Sequence, residues 1–243
     1  MYLYTNKINR EKYNKICFIS DCHINHNRTW IVEPRNVKSI EEHDDFVKSY
    51  LFDLTGDDLL INLGDFTLTS SVEETESILS KIKATHFYIF GNHESFVSKI
   101  YYKYLSRFFA DNNLGETGKF MDLYPFNINF KSGDVGIVEA GKAKKGTITF
   151  LGESSQFKFN NFNFDCRHMA PMLWDKMKYP NYVSVFGHSH GNLDGCQPQD
   201  FIGKKIDIGV DNAKKFSGKP YFLLEEIVDI MSTKELVVLD HHG

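Results

Sequence analysis

The sequence predicts an α/β fold, a sandwich in which mixed central β-sheets are flanked by helices. Short apolar runs rich in β-branched and aromatic residues recur along the 243-residue chain, and they alternate with segments of helical periodicity. The runs are almost continuously apolar, which is typical of strands that are covered on both faces. Because 42% of the residues are hydrophobic, the chain can bury a sizeable core, and we expect a single domain over residues 1–243.

Each predicted strand runs into polar residues that can bind a ligand. KICFIS is followed by Asp21, DLLINLG by Asp65, THFYIFG by Asn92 and His93, FNFDC by Arg167 and His168, YVSVFG by His188, and KKIDIGV by Asp211. In open α/β sheets, ligands bind beyond the carboxyl ends of the strands. This order therefore predicts one site that is built from strand-end side chains.

Three segments between these strands space their apolar residues at helical intervals: IEEHDDFVKSYLFDL, SVEETESILSKI and FVSKIYYKYLSRFF. The second segment opens with Ser71 and Glu74, which form a capping-box signature. Residues 112–163 differ, because Gly and Asn interrupt short aromatic-rich runs there. This pattern predicts a β-rich segment that includes a hairpin turning at Asn160 and Asn161.

The composition argues against several classes of partner. The formal net charge is −4, and acidic and basic residues are interleaved, so we expect no extended nucleic-acid groove. No apolar run approaches the roughly 20 residues of a membrane helix, and the polar N-terminus lacks the apolar core of a signal peptide. The four cysteines include no C-x-x-C pair. We therefore expect free thiols in a cytoplasmic protein with no membrane partner.

Two pairs of residues are spaced two apart, Asp21 with His23 and His188 with His190. On an extended strand, this spacing places both members of a pair on one face, so Asp21 and His23 can bind one metal ion. Taken alone, each motif also fits a polar strand end or a turn. Taken together, seven residues offer enough oxygen and nitrogen ligands for two divalent ions that share Asp65: Asp21, His23, Asp65, Asn92, His168, His188 and His190. Two such ions form the usual clamp for displacement at phosphorus, in which a bridging water loses its proton and attacks.

The motifs DCH, GDF, GNHE, H and GHSH, in this order, resemble the signature of the calcineurin-like metallophosphoesterases. They extend from Asp21 to His190, and the chain is most similar to the compact single-domain bacterial and viral members. The resemblance implies the metallophosphoesterase type of α/β sandwich. Relative to the compact members, the β-rich segment around 112–163 would be an insertion.

The resemblance also implies a role for each motif residue. Asp21, His23 and His190 would hold the first ion, Asn92, His168 and His188 would hold the second, and Asp65 would bridge them. His93 would protonate the leaving oxygen or steady the transition state, and Glu94 would orient His93. His26 matches the last position of a D-x-H-x-x-H pattern and would contact the substrate.

Further substrate contacts are expected in the loop after the first motif. Arg28 and Arg35 can each hold a phosphate through the planar guanidinium, although surface solvation is the alternative for each. Trp30, Trp174 and Phe66 also follow ligand motifs, where an aromatic ring can stack on a nucleobase or pack in the core. His43 lies within a predicted helix, and we interpret it as a surface residue.

Carboxylate, imidazole and amide ligands suit borderline ions, so we expect Mn²⁺ in vitro, with Fe, Zn, Ni or Mg as alternatives. The expected activity is that of a dinuclear phosphomonoesterase on a small nucleotide, such as a (deoxy)nucleoside 5′-monophosphate. A phosphodiesterase acting on cyclic nucleotides, dinucleotides or short nucleic acid needs the same ions and is the main alternative. A non-catalytic scaffold and a single-metal structural site are the others. The sequence indicates no oligomeric state.

Overall fold

The computed structural model describes residues 5–69, 71–114, 123–139, 142–193 and 203–237. In these residues, twelve strands form two mixed sheets that are flanked by helices, which confirms the predicted fold class. The seven strands of the larger sheet are, in spatial order, β12 (Phe222–Leu223), β2 (Ile16–Ile19), β3 (Leu59–Asn62), β4 (Thr85–Tyr88), β7 (Ile148–Phe150), β5 (Phe126–Ile128) and β6 (Val135–Ile137). Strands β2, β3, β4 and β7 are parallel, and the others pair antiparallel to their neighbours.

The smaller sheet has five strands. In spatial order these are β1 (Thr5–Ile8), β8 (Ser154–Phe159), β9 (Phe162–Arg167), β10 (Tyr182–Phe186) and β11 (Lys205–Asp207). Strands β9, β10 and β11 are parallel to one another, whereas β8 and β9 form the predicted antiparallel hairpin. That hairpin turns at Asn160, whose φ of 53° is left-handed, a conformation that asparagine adopts more readily than most residues.

Six α-helices lie in the described residues, besides one short 3₁₀ helix at Arg10–Lys12: α1 (Thr29–Val32), α2 (Ile40–Asp53), α3 (Val72–Lys81), α4 (Ser95–Asp111), α5 (Val210–Ser217) and α6 (Leu224–Thr233). The three segments that the sequence predicts as helices form α2, α3 and α4. Serine side chains cap the first two, because Ser39 accepts from the Glu42 N–H and Ser71 from the Glu74 N–H. Each such cap contributes about 1 kcal/mol.

The larger sheet has a core on each of its faces. On β2, Cys17 and Ile19 belong to the cluster that packs against α2, α3 and α4, whereas Ile16 and Phe18 belong to the cluster shared with the smaller sheet. Side chains alternate between the faces of a strand, so one short strand supplies both cores. Complete burial of each such residue contributes about 1.5–3 kcal/mol. This two-sided burial explains why the strand sequences are almost continuously apolar.

The β-rich segment predicted around residues 112–163 contains β5, β6, β7 and β8 in its described part. Its status as an insertion and the single-domain assignment stay predictions. Three cysteines, Cys17, Cys22 and Cys166, are free and buried, and Cys196 lies outside the described residues. Among the helices described, none combines the length and apolar character that crossing a membrane requires.

Candidate metal centre

The carboxyl ends of six strands meet at one edge of the sandwich. They are β2, β3 and β4 of the larger sheet and β9, β10 and β11 of the smaller sheet. Main-chain hydrogen bonds join the segments that follow these strands. Within the larger sheet, the Asp21 N–H donates to Gly64 O at 3.0 Å and the His23 N–H to Asp65 O at 3.0 Å. Between the sheets, the Val210 N–H donates to Ser20 O at 3.1 Å. The strand ends therefore form one continuous rim, on which the predicted ligands lie.

The ligand pairs lie on left-handed turns rather than on extended strands. Strand β2 ends at Ile19, and Asp21 and His23 have φ angles of 58° and 48°. His188 and His190 likewise have φ angles of 66° and 50°. The expectation that an extended strand aligns each pair is therefore wrong. The side chains converge because the backbone turns sharply after each strand, in a conformation that costs non-glycine residues about 1–3 kcal/mol each.

The first cluster consists of Asp21, His23 and His190, whose ligand atoms all lie within 4.8 Å of one another. Oδ1 of Asp21 is 3.8 Å from Nε2 of His23 and 4.0 Å from Nε2 of His190. The two imidazoles are stacked with their centroids 4.9 Å apart. These are the three residues that the sequence predicts for the first ion.

The second cluster consists of Asp65, His168 and His188, whose ligand atoms also lie within 4.8 Å of one another. Oδ2 of Asp65 is 3.3 Å from Nε2 of His168 and 3.8 Å from Nε2 of His23 in the first cluster. Asn92 joins this group, because its Oδ1 is 2.9 Å from Nε2 of His168. Asp65 thus lies between the clusters, the position that the bridging role requires.

Each of the two aspartates uses one oxygen for the backbone and points the other at the centre. Oδ2 of Asp21 accepts from the His188 N–H at 2.8 Å, and Oδ1 of Asp65 accepts from the His93 N–H at 2.8 Å. The opposite oxygens face the imidazoles. Each carboxylate is therefore oriented by a turn that carries another of the predicted site residues.

Two atoms at the centre of the site are buried without a hydrogen-bond partner in the part of the chain that the structure describes. They are Oδ1 of Asp21 and Nε2 of His23. A buried polar atom that lacks a partner costs about 1–3 kcal/mol, and a bound ion removes that cost. The donor set and these two atoms fit divalent metal ions.

The protonation states of His23 and Asp65 suit a cation, whereas His168 would have to lose a proton to an incoming ion. Burial, together with the nearby charges of Arg35 and His190, lowers the pKa of His23 to about 2, so the imidazole is neutral. Burial would raise the pKa of Asp65, but the hydrogen bond from His168 and neighbouring charges lower it to about 2. Burial would lower the pKa of His168, but its hydrogen bond to Asp65 and the charges of Asp21 and Asp65 raise it to about 9.

The model of the calcineurin-like phosphoesterase family matches residues 14–203 of the chain. The chain belongs to this family. It is accordingly a metal-dependent phosphoric ester hydrolase, and its Asp and His clusters fit divalent metal ions. A comparison with curated proteins gave no match.

One solved structure with a similar fold is that of a protein of unknown function, AQ665, from Aquifex aeolicus. It is 16% identical in sequence, with a TM-score of 0.53 over 89% of this chain and 98% of that chain. At this identity, the likeness supports the fold alone. It agrees with the two-sheet sandwich described above.

Glycines give this phosphoesterase the close packing around its aspartates. A Cβ at Gly91 would lie 2.2 Å from Oδ1 of Asp65, and a Cβ at Gly187 would lie 2.4 Å from Oδ2 of Asp21. Both distances are shorter than real contacts. The turns that bear Asn92 and His188 can approach the carboxylates only because these positions have no side chain.

Gly91→Ala should lower the activity by about 100-fold, since a misplacement of about 1 Å at a catalytic centre has an effect of that size. The new methyl group must displace the Asp65 carboxylate and thereby reduce the metal content. Steady-state kinetics and elemental analysis on the same preparation measure both effects. Gly56→Ala is the matched control, because its Cβ would meet only Lys83 O at 3.9 Å. Full activity in Gly91→Ala would contradict the requirement for this close approach.

His93 is exposed at the mouth of the site, with its ring centroid 6.2 Å from that of His23. Glu94 does not lie where the sequence predicts. Its buried carboxylate accepts from the N–H groups of Asp65 and Gly91 and from the Tyr88 hydroxyl, so it holds the two turns together instead of orienting the His93 ring. Burial raises the pKa of Glu94 to about 7.

The first metal motif is followed by His26, Arg28 and Trp30, of which His26 and Trp30 contact residues of the first cluster. Nδ1 of His26 is 3.1 Å from Nδ1 of His23, an arrangement that leaves Nε2 of His23 for the ion. Arg28 is exposed at the start of α1. Trp30 is 45% exposed and contacts the imidazoles of His23, His26 and His190. The substrate-binding roles of His26 and Arg28 stay predictions.

Arg35 occupies a different place from that expected of a substrate contact. Its guanidinium is fully buried and paired with Asp211 at 2.8 Å, so it faces the interior. His43 is also buried rather than on the surface, and its Nε2 lies 2.8 Å from Cys22 O. The other aromatic candidates, Trp174 and Phe66, are buried as well, which leaves Trp30 as the exposed one of the three.

Two aspartates of the rim were not among the predicted site residues. Asp207 accepts from Ser189 Oγ and the Gly191 N–H, and so holds the turn that carries His188 and His190. Asp211 accepts from Nδ1 of His190 at 2.9 Å. The available signal was the strand-end pattern itself, since the last apolar run also ends at an aspartate.

Proposed function

We propose that the protein hydrolyses phosphomonoesters of small nucleotides, such as (deoxy)nucleoside 5′-monophosphates. The observation that supports a nucleotide substrate is Trp30, whose exposed indole contacts the imidazoles of His26 and of two predicted metal ligands, His23 and His190. Stacking of a base on an aromatic ring contributes about 1–3 kcal/mol and tolerates any base. A phosphate at the ions would place its nucleoside within reach of this ring.

The chain's own residues divide the work at the phosphate. Asp21, His23 and His190 would hold one ion and His168, His188 and Asn92 the other, with Asp65 between them. Divalent ions held there would neutralise phosphate oxygens and activate water. His93, exposed at the mouth, would donate a proton to the leaving oxygen. We further propose Mn²⁺ as the most effective ion in vitro, and a cytoplasmic location, which suits the three buried free thiols.

Hydrolysis of a defined panel tests the proposal. Purified protein loaded with Mn²⁺ should turn over nucleoside 5′-monophosphates faster than bis(p-nitrophenyl) phosphate, cyclic nucleotides and dinucleotides. A protein prepared in the same way with Asp65→Asn provides the background rate. Faster turnover of the diesters would establish the phosphodiesterase alternative, and no turnover of any ester would refute both.

Trp30→Ala should reduce kcat/KM for a nucleoside monophosphate by roughly 5- to 150-fold, the equivalent of 1–3 kcal/mol. It should leave kcat/KM for glycerol phosphate, which has no ring, nearly unchanged. Trp30→Phe keeps a stacking surface and should retain most of the activity. Because Trp174 is the other tryptophan and is buried, quenching of the fluorescence by nucleotide should disappear in Trp30→Ala.

Metal content is the control for these variants, since Trp30 contacts two residues of the first cluster. Unchanged metal content with selective loss on the nucleotide supports stacking. An equal loss on both substrates would mean that Trp30 supports the histidines rather than the base.

A further inference from the structure

Arg35 is a buried cation with an unusually complete set of bonds. Its Nε and Nη2 donate to the two carboxylate oxygens of Asp211 at 3.1 and 2.8 Å. Nη2 also donates to Asp21 O at 2.7 Å, and Nη1 donates to Cys22 O at 3.2 Å. Nη1 also lies 3.0 Å from Nε2 of His43. At least four of the five N–H groups therefore have partners within one small region, and the side chain is fully buried.

Asp211 connects this cation to a predicted metal ligand. Its Oδ2 accepts from Nδ1 of His190 at 2.9 Å, while Nε2 of His190 faces Oδ1 of Asp21. A proton held on Nδ1 leaves the lone pair of Nε2 free for an ion. Carboxylates that fix a ligating imidazole in this way also raise its basicity.

The carbonyl groups bound by Arg35 belong to the turn that carries the other two members of the first cluster. Asp21 and His23 both have left-handed φ angles, a conformation that persists only where the surroundings hold it. Arg35 binds the carbonyl of Asp21 itself and that of Cys22, the residue between Asp21 and His23. One guanidinium thus supports the turn and, through Asp211, the His190 imidazole.

We propose that Arg35 and Asp211 are positioning residues for the first metal ion, which they fix by holding all three members of the first cluster. The inference rests on the two-ion centre of the proposed function but not on its substrate. The second cluster has other supports: Nδ1 of His168 is bonded to Leu63 O at 2.8 Å, and Oδ1 of Asp65 to the His93 N–H. Loss of Arg35 or Asp211 should therefore weaken the binding of one ion and leave the other unchanged.

Asp211→Asn is the decisive variant, because it keeps the size of the side chain while removing its charge. An asparagine amide can donate to Nδ1 and so favour the tautomer with the proton on Nε2, which cannot bind an ion. Asp165→Asn is the matched control. Asp165 is also buried and also paired with an arginine, since Arg167 Nε and Nη2 donate to it at 3.0 and 2.7 Å.

Titration of metal-free protein with Mn²⁺, followed by calorimetry, provides the measurement. In the wild type we expect two dissociation constants. Asp211→Asn should weaken one of them by about 10- to 100-fold, the usual effect of losing an outer-shell partner. The other constant, and both constants of Asp165→Asn, should stay within about twofold. The ¹⁵N shifts of His190 in metal-free protein should report the change of tautomer.

Double variants assign the affected ion. Asp211→Asn added to His190→Asn should cause little further loss, whereas its effect should add to that of His188→Asn. Unchanged constants in Asp211→Asn, or equal weakening of both, would overturn the proposal, as would the same loss in Asp165→Asn. Arg35→Lys, which keeps the charge but not the planar fork, should show a partial loss at the same ion. The titration uses Mn²⁺ and no nucleotide. Its results therefore test the positioning role even if the protein does not hydrolyse nucleotides.

Discussion

Replacement of Asp65 by asparagine should abolish most of the phosphoesterase activity and weaken both metal ions. Oδ2 of Asp65 lies 3.3 Å from Nε2 of His168 and 3.8 Å from Nε2 of His23, so it faces both clusters at once. An amide has one oxygen and no charge. If its oxygen continues to accept from the His93 N–H, only its NH₂ group remains to face the imidazoles, and this group cannot bind a cation.

The expected loss of activity exceeds the roughly 10- to 100-fold typical of changing an outer-shell partner, because Asp65 itself would touch the ions. Elemental analysis should show fewer than two ions per chain. Asp58→Asn serves as the control, since Asp58 is equally buried but caps the Thr55 turn at the opposite end of β3. Two ions per chain in Asp65→Asn, with activity retained, would show that Asp65 does not bridge.

The apolar runs predicted the strands well. In the larger sheet, β2, β3 and β4 are buried on both faces, which makes their sequences almost continuously apolar. β2, β3, β4, β9 and β10 all lie where such runs occur, and helical spacing predicted α2, α3 and α4. The strand-end residues came together for the same reason, since parallel strands end at one edge. These features depend on local pattern, which is why one sequence was enough to predict them.

The turns were harder to predict, because the same spacing of residues fits both an extended strand and a left-handed turn. Ligands spaced two residues apart suggest an extended strand. Asp21 and His188 nevertheless have left-handed φ angles, which the residue pattern does not predict. Their conformation is imposed by tertiary bonds, such as that from the His188 N–H to Asp21. The residues that converge at the rim were therefore named through a wrong local geometry, and His188 and His190 lie in different clusters.

The positions of buried charged residues were also predicted wrongly from the sequence. Arg35 and Asp211 are 176 residues apart, and nothing near either residue indicates that they meet. An arginine in a polar loop fits a phosphate contact or a solvated surface, and the structure shows neither. Glu94 was misplaced similarly, because adjacency to His93 suggested contact with its ring, whereas the carboxylate reaches back to Gly91 and Asp65. Long-range hydrogen bonds decide these roles.

Replacement of His93 by alanine should lower kcat by about 100- to 10,000-fold, the usual contribution of a general acid, without emptying the metal centre. The ring is exposed, with its centroid 6.2 and 6.4 Å from those of His23 and His26. The bond to Asp65 comes from the backbone N–H of residue 93, which alanine retains. The variant therefore removes the imidazole and keeps the support of the carboxylate.

The dependence on the leaving group separates the two roles that are open to His93. If the imidazole protonates the leaving oxygen, the loss should be large for a nucleoside monophosphate and small for p-nitrophenyl phosphate, whose phenolate leaves without a proton. A loss of equal size for both esters would instead favour stabilisation of the transition state. Elemental analysis should still show about two ions per chain. Loss of the ions in His93→Ala would mean that the division between ligands and proton donor is wrong, because the side chain would then be supporting the metal centre itself.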